Sequence, residues 1–343
     1  MTFHAVLAGC GSMARGWLKA VTSPELADQI TIVGLVDIDL KAAEKLRGEF
    51  NLSAALTGTD LARVLASTKP DMVFDVVIPS ARREVVATAL QAGCHVLSEK
   101  PMAVSMDEAQ ELLGLARAAG KIHAIVQNRR YVAGVRRVRR FIESGAIGTL
   151  TGLHADFFIG AHFGGFRDEM QSPLLLDMSI HTFDAARFMS GKQPLAVYCY
   201  ETNPAGSWYK HGGSANAVFE MSDGVVFTYR GSWCAEGAPT SWESAWRITG
   251  STGTLLWDGA DHFEAKAVAG DEGFHRQLTT LEVPPPADTE TTHGHTSVLR
   301  AFVSAVRENQ PPETASNDNI KSLGMVFGAI ESAATRQRVE IKA

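Results

Sequence analysis

An apolar run, Phe3-His4-Ala5-Val6-Leu7-Ala8, enters Gly9-Cys10-Gly11-Ser12-Met13-Ala14 and passes straight into a helical pattern. A Gly-x-Gly-x-x-Ala turn between a strand and a helix has a specific use. The first glycine permits the tight turn, the second lets backbone approach a phosphate with no Cβ in the way, and the small Ala14 lets helix pack on strand. The helix N-terminus then presents unpaired N–H groups and a positive dipole end to the anion. Glycine-rich turns also close ordinary strand-to-helix connections, so context decides. A second strand pattern, Thr31-Ile32-Val33-Gly34-Leu35-Val36-Asp37, ends in a carboxylate 23 residues after Ala14, near the spacing of about 20 at which an acid meets the adenosine ribose. Together these features predict a dinucleotide site built on Gly9, Gly11, Ser12, Met13 and Asp37.

Asp37 also bears on which dinucleotide is bound. A carboxylate accepts hydrogen bonds from the 2′-hydroxyl of NAD and repels the 2′-phosphate of NADP, for which an arginine is the usual partner. Ile38 follows Asp37, so NAD is favoured over NADP. The competing role for Asp37 is to cap the helix expected from about 39 to 50, and Lys41 and Lys45 remain within reach of a phosphate.

At 343 residues, 45% hydrophobic and 20% charged, the chain is long enough for about two domains with sizeable cores. Its formal charge of −6 argues against a general nucleic-acid surface. No apolar run approaches the roughly 18 residues of a membrane span, and the N-terminus lacks a signal-peptide pattern, so a cytoplasmic protein without a membrane partner is expected. Arg136, Arg137, Arg139 and Arg140 fall in a helical pattern and read as a solvated face. Cys10, Cys94, Cys199 and Cys234 are far apart, which predicts reduced, buried thiols. His293-x-His295 has no third ligand nearby; no metal is expected.

Strand patterns at 3–8, 31–37, 72–77, 95–98 and 122–126 alternate with helical patterns at 12–22, 39–50, 60–67, 81–92 and 105–119. That alternation predicts a doubly wound parallel sheet over residues 1–128. Ser105 and Glu108 form a capping box for the fifth helix and Gly120 suits its end. A helix at about 133–144 leads into strand-like runs at 149–159, 195–202, 214–221, 224–233 and 245–250, interrupted by a helix at 175–190. Residues 258–292 read as loops, and helices at 296–308 and 318–337 close the chain. Residues 129–343 are therefore expected to form an α+β domain on an open, largely antiparallel sheet.

Lys100 stands in Glu99-Lys100-Pro101, where the fifth strand reaches the carboxyl edge of the sheet, the side on which open α/β folds place ligands. A lysine there, partly buried beside a cationic ring, would donate a hydrogen bond or a proton to a substrate oxygen; the plain alternative is a surface lysine. Asp177, His181 and Asp184 stand at i, i+4 and i+7 on the helix 175–190 and share one face if that helix is regular. Such a stripe is either a reactive set or a solvated surface.

Taken in order, Gly9-Cys10-Gly11-Ser12-Met13-Ala14, Asp37, Glu99-Lys100-Pro101 and Asp177-x-x-x-His181-x-x-Asp184 resemble the Gfo/Idh/MocA oxidoreductases over nearly the full length. The resemblance implies hydride exchange between a nicotinamide and a secondary hydroxyl of a sugar or cyclic polyol, with Lys100, Asp177 and His181 facing the substrate and Pro79, Glu99, Lys100 and Asn128 near the cofactor. Many members carry Asn and His behind the proline of the fourth strand's turn, where this chain has Ser80 and Arg83. Ser179 replaces a glycine found in many inositol-type members. His162 and Arg167, in the loop 160–167, are candidate substrate contacts or ordinary loop residues. Asn128 and Tyr131 are candidate walls beside the nicotinamide or packing residues. The same residues would serve a chain that retains NAD for lyase or glycosidase chemistry; a non-catalytic dinucleotide sensor is the other alternative, against which the retained Lys100 and His181 argue. A sheet with one uncovered apolar face predicts a homodimer or homotetramer.

Overall fold

The computed structural model describes residues 2–342. Its contacts divide them into two compact units: residues up to Asn128 with His293–Ile320, and Arg129–Thr292 with residues from Lys321 on. Against the expected blocks 1–128 and 129–343, the segment His293–Ile320 returns to the first unit.

The first unit alternates β1 (Phe3–Ala8), α1 (Ser12–Val21), β2 (Ile30–Val36), α2 (Leu40–Glu49), β3 (Leu56–Gly58), α3 (Leu61–Thr68), β4 (Met72–Asp75), α4 (Pro79–Gln91), β5 (His95–Ser98), α5 (Met106–Ala119) and β6 (His123–Ile125). All six strands are parallel, in the order β3-β2-β1-β4-β5-β6. This is the doubly wound arrangement, whose strand order reverses between β1 and β4 and leaves a crevice at their carboxyl ends. The helix starts follow their side chains. Asp39 accepts from the Lys41 N–H at 3.0 Å, Asp60 from the Arg63 N–H at 3.1 Å and Ser105 from the Glu108 N–H at 3.1 Å, each satisfying a donor the first turn leaves open. Helix α4 begins two residues earlier than expected because Pro79 suits the first helical turn. Strand β3, of three residues, is too short to leave an alternating pattern.

A buried and a half-buried histidine are expected to make this unit acid-sensitive. Burial, reinforced by the charge of Arg82, pushes His123 down to about 3 from an ordinary 6.5; burial and the charge of Lys121 push His95 down to about 4. Both are neutral when folded, while the unfolded chain protonates them near 6.5, so their contribution is fully present above that pH and is lost as pH falls toward 4. We expect the urea midpoint of the protein to fall across this window and the slope to lessen in His123→Gln. A midpoint independent of pH between 6.5 and 4 would contradict this.

The second unit holds α6 (Ala133–Glu143), β7 (Leu150–Phe158), α7 (Phe166–Glu169), α8 (Ile180–Ser190), β8 (Pro194–Thr202), β9 (Ser214–Met221), β10 (Val226–Ser232), β11 (Ala245–Gly250), β12 (Gly253–Trp257), β13 (Phe263–Val268) and β14 (Leu278–Leu281). In the first unit, α9 (His295–Glu308) follows; α10 (Ser316–Thr335) begins there and continues into the second unit, which ends in β15 (Val339–Glu340). The nine-stranded sheet runs β14-β13-β12-β11-β7-β10-β9-β8-β15, antiparallel except between β7 and β10. Two of its strands, β13 and β14, lie in the stretch expected to be loop. Phe183 of α8 packs on Phe219, Phe227 and Tyr229, with ring centroids 4.8, 6.0 and 5.2 Å away, which anchors that helix over the sheet. The four arginines of α6 are not a solvated face. Arg136 lies over Tyr131 and Phe188, Arg137 over Phe263, Arg139 pairs with Glu143, and Arg140 reaches the Pro285 carbonyl and Glu290.

Candidate functional site

In the first unit the turn after β1 has the form its residues predict. Gly9 holds φ +96°, and a Cβ there would stand 2.7 Å from the Val76 carbonyl carbon and 2.8 Å from the Val77 nitrogen, so only glycine fits. Gly11 caps α1 without any side-chain bond to the helix, and a Cβ added to it would meet open space. Gly11, Ser12 and Met13 are all exposed. The open N–H groups of the first turn therefore face a region an anion can enter. Asp37 is held in place at the end of β2: its Oδ2 accepts from the Cys10 N–H at 2.7 Å and its Oδ1 from the Asp39 N–H at 2.9 Å. Burial and the Asp37 charge push the Cys10 thiol up to about 12, so it adds no negative charge beside a pyrophosphate. These residues fit a dinucleotide.

Around Glu99 the structure gathers residues that local sequence could not connect. Its buried carboxylate accepts from the Trp17 indole N–H at 2.7 Å and lies 3.4 Å from His295 Nε2. Asn128 Nδ2 stands 3.5 Å from His295 Nδ1. Burial opposes the Glu99 charge, yet the hydrogen bonds from His295 and Trp17 and the charges of His295 and Lys100 hold its carboxyl below the usual range. Thus Glu99 and Asn128, both expected near the cofactor, share a partner in His295, whose sequence suggested only an incomplete metal pair. Pro79 opens α4 and Lys100 is partly exposed. Behind Pro79, Arg83 points away to an exposed pair with Glu111; its neighbour Arg82 is the one turned into the protein, 1% exposed.

In the second unit Leu174–Ser179 wind as one wide π turn that runs into α8. From Thr182 to Met189 every residue is buried, whereas Asp177 and His181 keep solvent contact. This is not a solvated stripe: over residues 174–189 only Leu176, Asp177 and His181 are half-buried, and the rest are buried. Asp184, expected on their face, is turned inward at 0% exposure. There it receives Arg130 on both oxygens at 2.6 and 2.7 Å and Ser322 at 2.6 Å. Asp177 Oδ2 accepts from Arg167 Nε at 2.7 Å, and the guanidinium lies over the Phe163 and Phe166 rings. His181 borders a small cavity with Arg129, Trp242 and Glu243, the arginine pairing with Glu243 and donating to the Trp242 carbonyl.

The structure therefore brings Arg167 to Asp177 but gives His162 other partners. That ring stacks on Trp208 at 3.6 Å and lies 2.7 Å from Glu236. Tyr131 is 3% exposed beneath Arg136. Trp208 and Trp242 escaped the sequence reasoning; the available signal was that four of the six tryptophans fall between 208 and 246.

Comparison with known proteins agrees with this architecture. Residues 3–127 match the family described as "Oxidoreductase family, NAD-binding Rossmann fold", and residues 135–256 match the "GFO/IDH/MocA C-terminal domain". The chain is similar to a 1,5-anhydro-D-fructose reductase of Ensifer adhaerens, 25% identical over 98% of both chains. It is also similar to a D-apiose dehydrogenase of Paraburkholderia graminis, 24% identical over 99% of this chain and 90% of the other. An oxidoreductase from Agrobacterium radiobacter solved with NAD+, L-tartaric acid and magnesium is 20% identical, covers 99% of each chain and superposes with a TM-score of 0.86, which is a likeness of fold. Matched in both of its characteristic domains, the chain belongs to the Gfo/Idh/MocA oxidoreductases, enzymes built on an NAD-binding Rossmann fold.

Proposed function

We propose that this enzyme exchanges hydride reversibly between NAD and a carbon bearing a secondary hydroxyl in a sugar, a cyclic polyol or a derivative of one. The observation that carries the reading is the pair Asp177 and His181, half-buried ionisable groups that keep solvent contact where residues 182–189 after them are all buried. When bound, the nicotinamide supplies the hydride acceptor or donor. The remaining work falls to the chain. His181 takes the hydroxyl proton, the acid–base role for which an imidazole is the commonest side chain. Lys100 donates to the substrate oxygen and steadies the charge that develops there. Asp177, fixed by Arg167, grips a neighbouring hydroxyl or orients the imidazole. Asp37, with both oxygens already accepting backbone N–H groups, repels a 2′-phosphate and makes NAD the preferred dinucleotide.

The test is a panel of sugars, cyclic polyols and their keto forms with NAD, NADP and the reduced forms, read at about 340 nm. Net NADH formation with a polyol or sugar, faster with NAD than with NADP, is the expected result. Tight NAD binding without turnover across the panel would overturn it.

We also infer that a second copy of the chain covers the open face of the nine-stranded sheet. Tyr198, Val218 and Thr228 line up across β8, β9 and β10 on that face, and Leu195, Tyr200 and Val226 are exposed with them. A solution mass of a dimer or tetramer is expected, falling to the monomer in Val218→Lys; a monomeric parent protein would refute the inference. Among the described residues no helix is long and apolar enough to cross a membrane.

A further inference from the structure

We propose that Arg82 is a positioning residue for Lys100, fixing with one buried guanidinium the two backbone segments that border the crevice at the ends of β4 and β5. The inference rests on the role given to Lys100 above. Arg82 lies in the first turns of α4, and its donors are directed at three separate places. Nε donates to Asp75 Oδ2 at 2.8 Å, Nη2 to the Val77 carbonyl at 2.8 Å, and Nη1 to the carbonyl of Pro101. Pro101 is the residue after Lys100. Val76 and Val77 are the residues against which Gly9 of the nucleotide turn is packed so closely that no Cβ fits. A single side chain thus ties the wall of the pyrophosphate turn to the segment that carries the lysine.

The anchor for this guanidinium is equally fixed. Asp75 ends β4 with no exposure, its Oδ1 accepts from the Val77 N–H at 3.2 Å, and Ser98 bonds to the same carboxyl. Ser98 Oγ lies 3.1 Å from His123 Nε2. The chain of contacts therefore runs from the carboxyl ends of β4 and β5 to His123 at the start of β6, three neighbouring strands of the sheet.

Stability alone does not account for such a pair. A buried ion pair is matched or bettered by apolar residues of similar volume as far as stability goes. Apolar residues cannot aim N–H groups at carbonyl oxygens on two segments. Position is what the guanidinium adds, and a displacement of about 1 Å in a reacting group costs on the order of a hundredfold in rate. Sequence reasoning noted Arg83 behind Pro79 only as a departure from the family pattern and passed over its neighbour Arg82.

The test compares the parent enzyme with Asp75→Val/Arg82→Leu, which removes both charges together, with Arg82→Lys, which can reach one of the two carbonyls, and with Lys100→Ala. In the protein without NAD, amide hydrogen exchange over residues 98–104 should quicken at least tenfold in the double variant while exchange in β1 and β2 stays as in the parent. Its kcat should fall ten- to a hundredfold with NADH affinity within threefold, and Arg82→Lys should recover part of the loss. Unchanged exchange and unchanged kcat in a folded double variant would overturn the inference, as would a loss of NADH affinity equal to the loss of kcat. Should the double variant fail to fold, Arg82→Lys decides by the same two readouts: parental exchange and kcat refute the proposal, and an intermediate loss of both supports it. Full turnover in Lys100→Ala would instead strike at the assigned reaction, and the exchange result would stand apart from it.

Discussion

Lys100→Ala and His181→Ala are each expected to lower kcat by about 10²–10⁴-fold, the usual contribution of a positioned acid–base group, while NADH affinity stays within about threefold. The separation follows from where the dinucleotide contacts lie. In the proposed reading the turn at Gly9 and Gly11 and the carboxylate of Asp37 hold the pyrophosphate and ribose, through groups that neither substitution touches. The two variants should also differ from each other. Removing His181 takes away the proton acceptor, so added imidazole or higher pH should restore part of the oxidation rate; removing Lys100 takes away charge stabilisation, which neither restores. Steady-state kinetics at 340 nm and fluorescence titration with NADH measure both quantities. Turnover retained in both variants would remove the mechanism, and parallel losses of turnover and NADH affinity would make these residues cofactor ligands instead.

Much of the first unit was legible because its signals are local. A glycine turn, a strand ending in Asp37 and capping side chains such as Ser105 each act within a few residues, and the alternation of periods fixes a parallel sheet in which the chain must wind. What was missed depends on contacts distant in sequence. His295 meets Glu99 across 196 residues, and no pattern near either one announces it. Arg82 and Arg83 are neighbours, so composition cannot say which one the helix turns inward; a rotation of about 100° separates a buried keystone from a surface pair. Strands β13 and β14 went unread because the Gly-, Asp- and Pro-rich residues around them resemble loops, and their pairing comes from β12 at the growing edge of the sheet. The regular helical spacing of Asp177, His181 and Asp184 was seen, but it could not show that the chain there is buried on nearly all sides.

That last point sets the largest expected loss of stability. Asp184→Ala leaves the Arg130 and Arg187 guanidinium groups in the interior without the carboxylate between them: Arg130 bonds both its oxygens, Ser322 donates to it, and Arg187 Nη1 lies 3.8 Å away while donating to Ser322 at 2.7 Å. Removing one partner of a buried pair costs about 3–5 kcal/mol because the remaining charge is stranded. For a unit of this size the thermal midpoint should drop by roughly 10 °C. Asp184→Asn, which keeps an acceptor but not the charge, should fall between the variant and the parent. If Asp184 instead belonged with Asp177 and His181 in the chemistry, the alanine variant would unfold like the parent and lose turnover. The expected outcome is the reverse, an unfolding midpoint clearly lowered and a kcat per folded molecule far less reduced than in His181→Ala, because the Asp184 side chain is turned inward to Arg130 and Ser322. Urea unfolding followed by tryptophan fluorescence, with activity measured well below the transition, separates the two; a loss under about 1 kcal/mol would mean that the network tolerates a missing carboxylate and that burial of this charge serves something other than holding α8 to its neighbours.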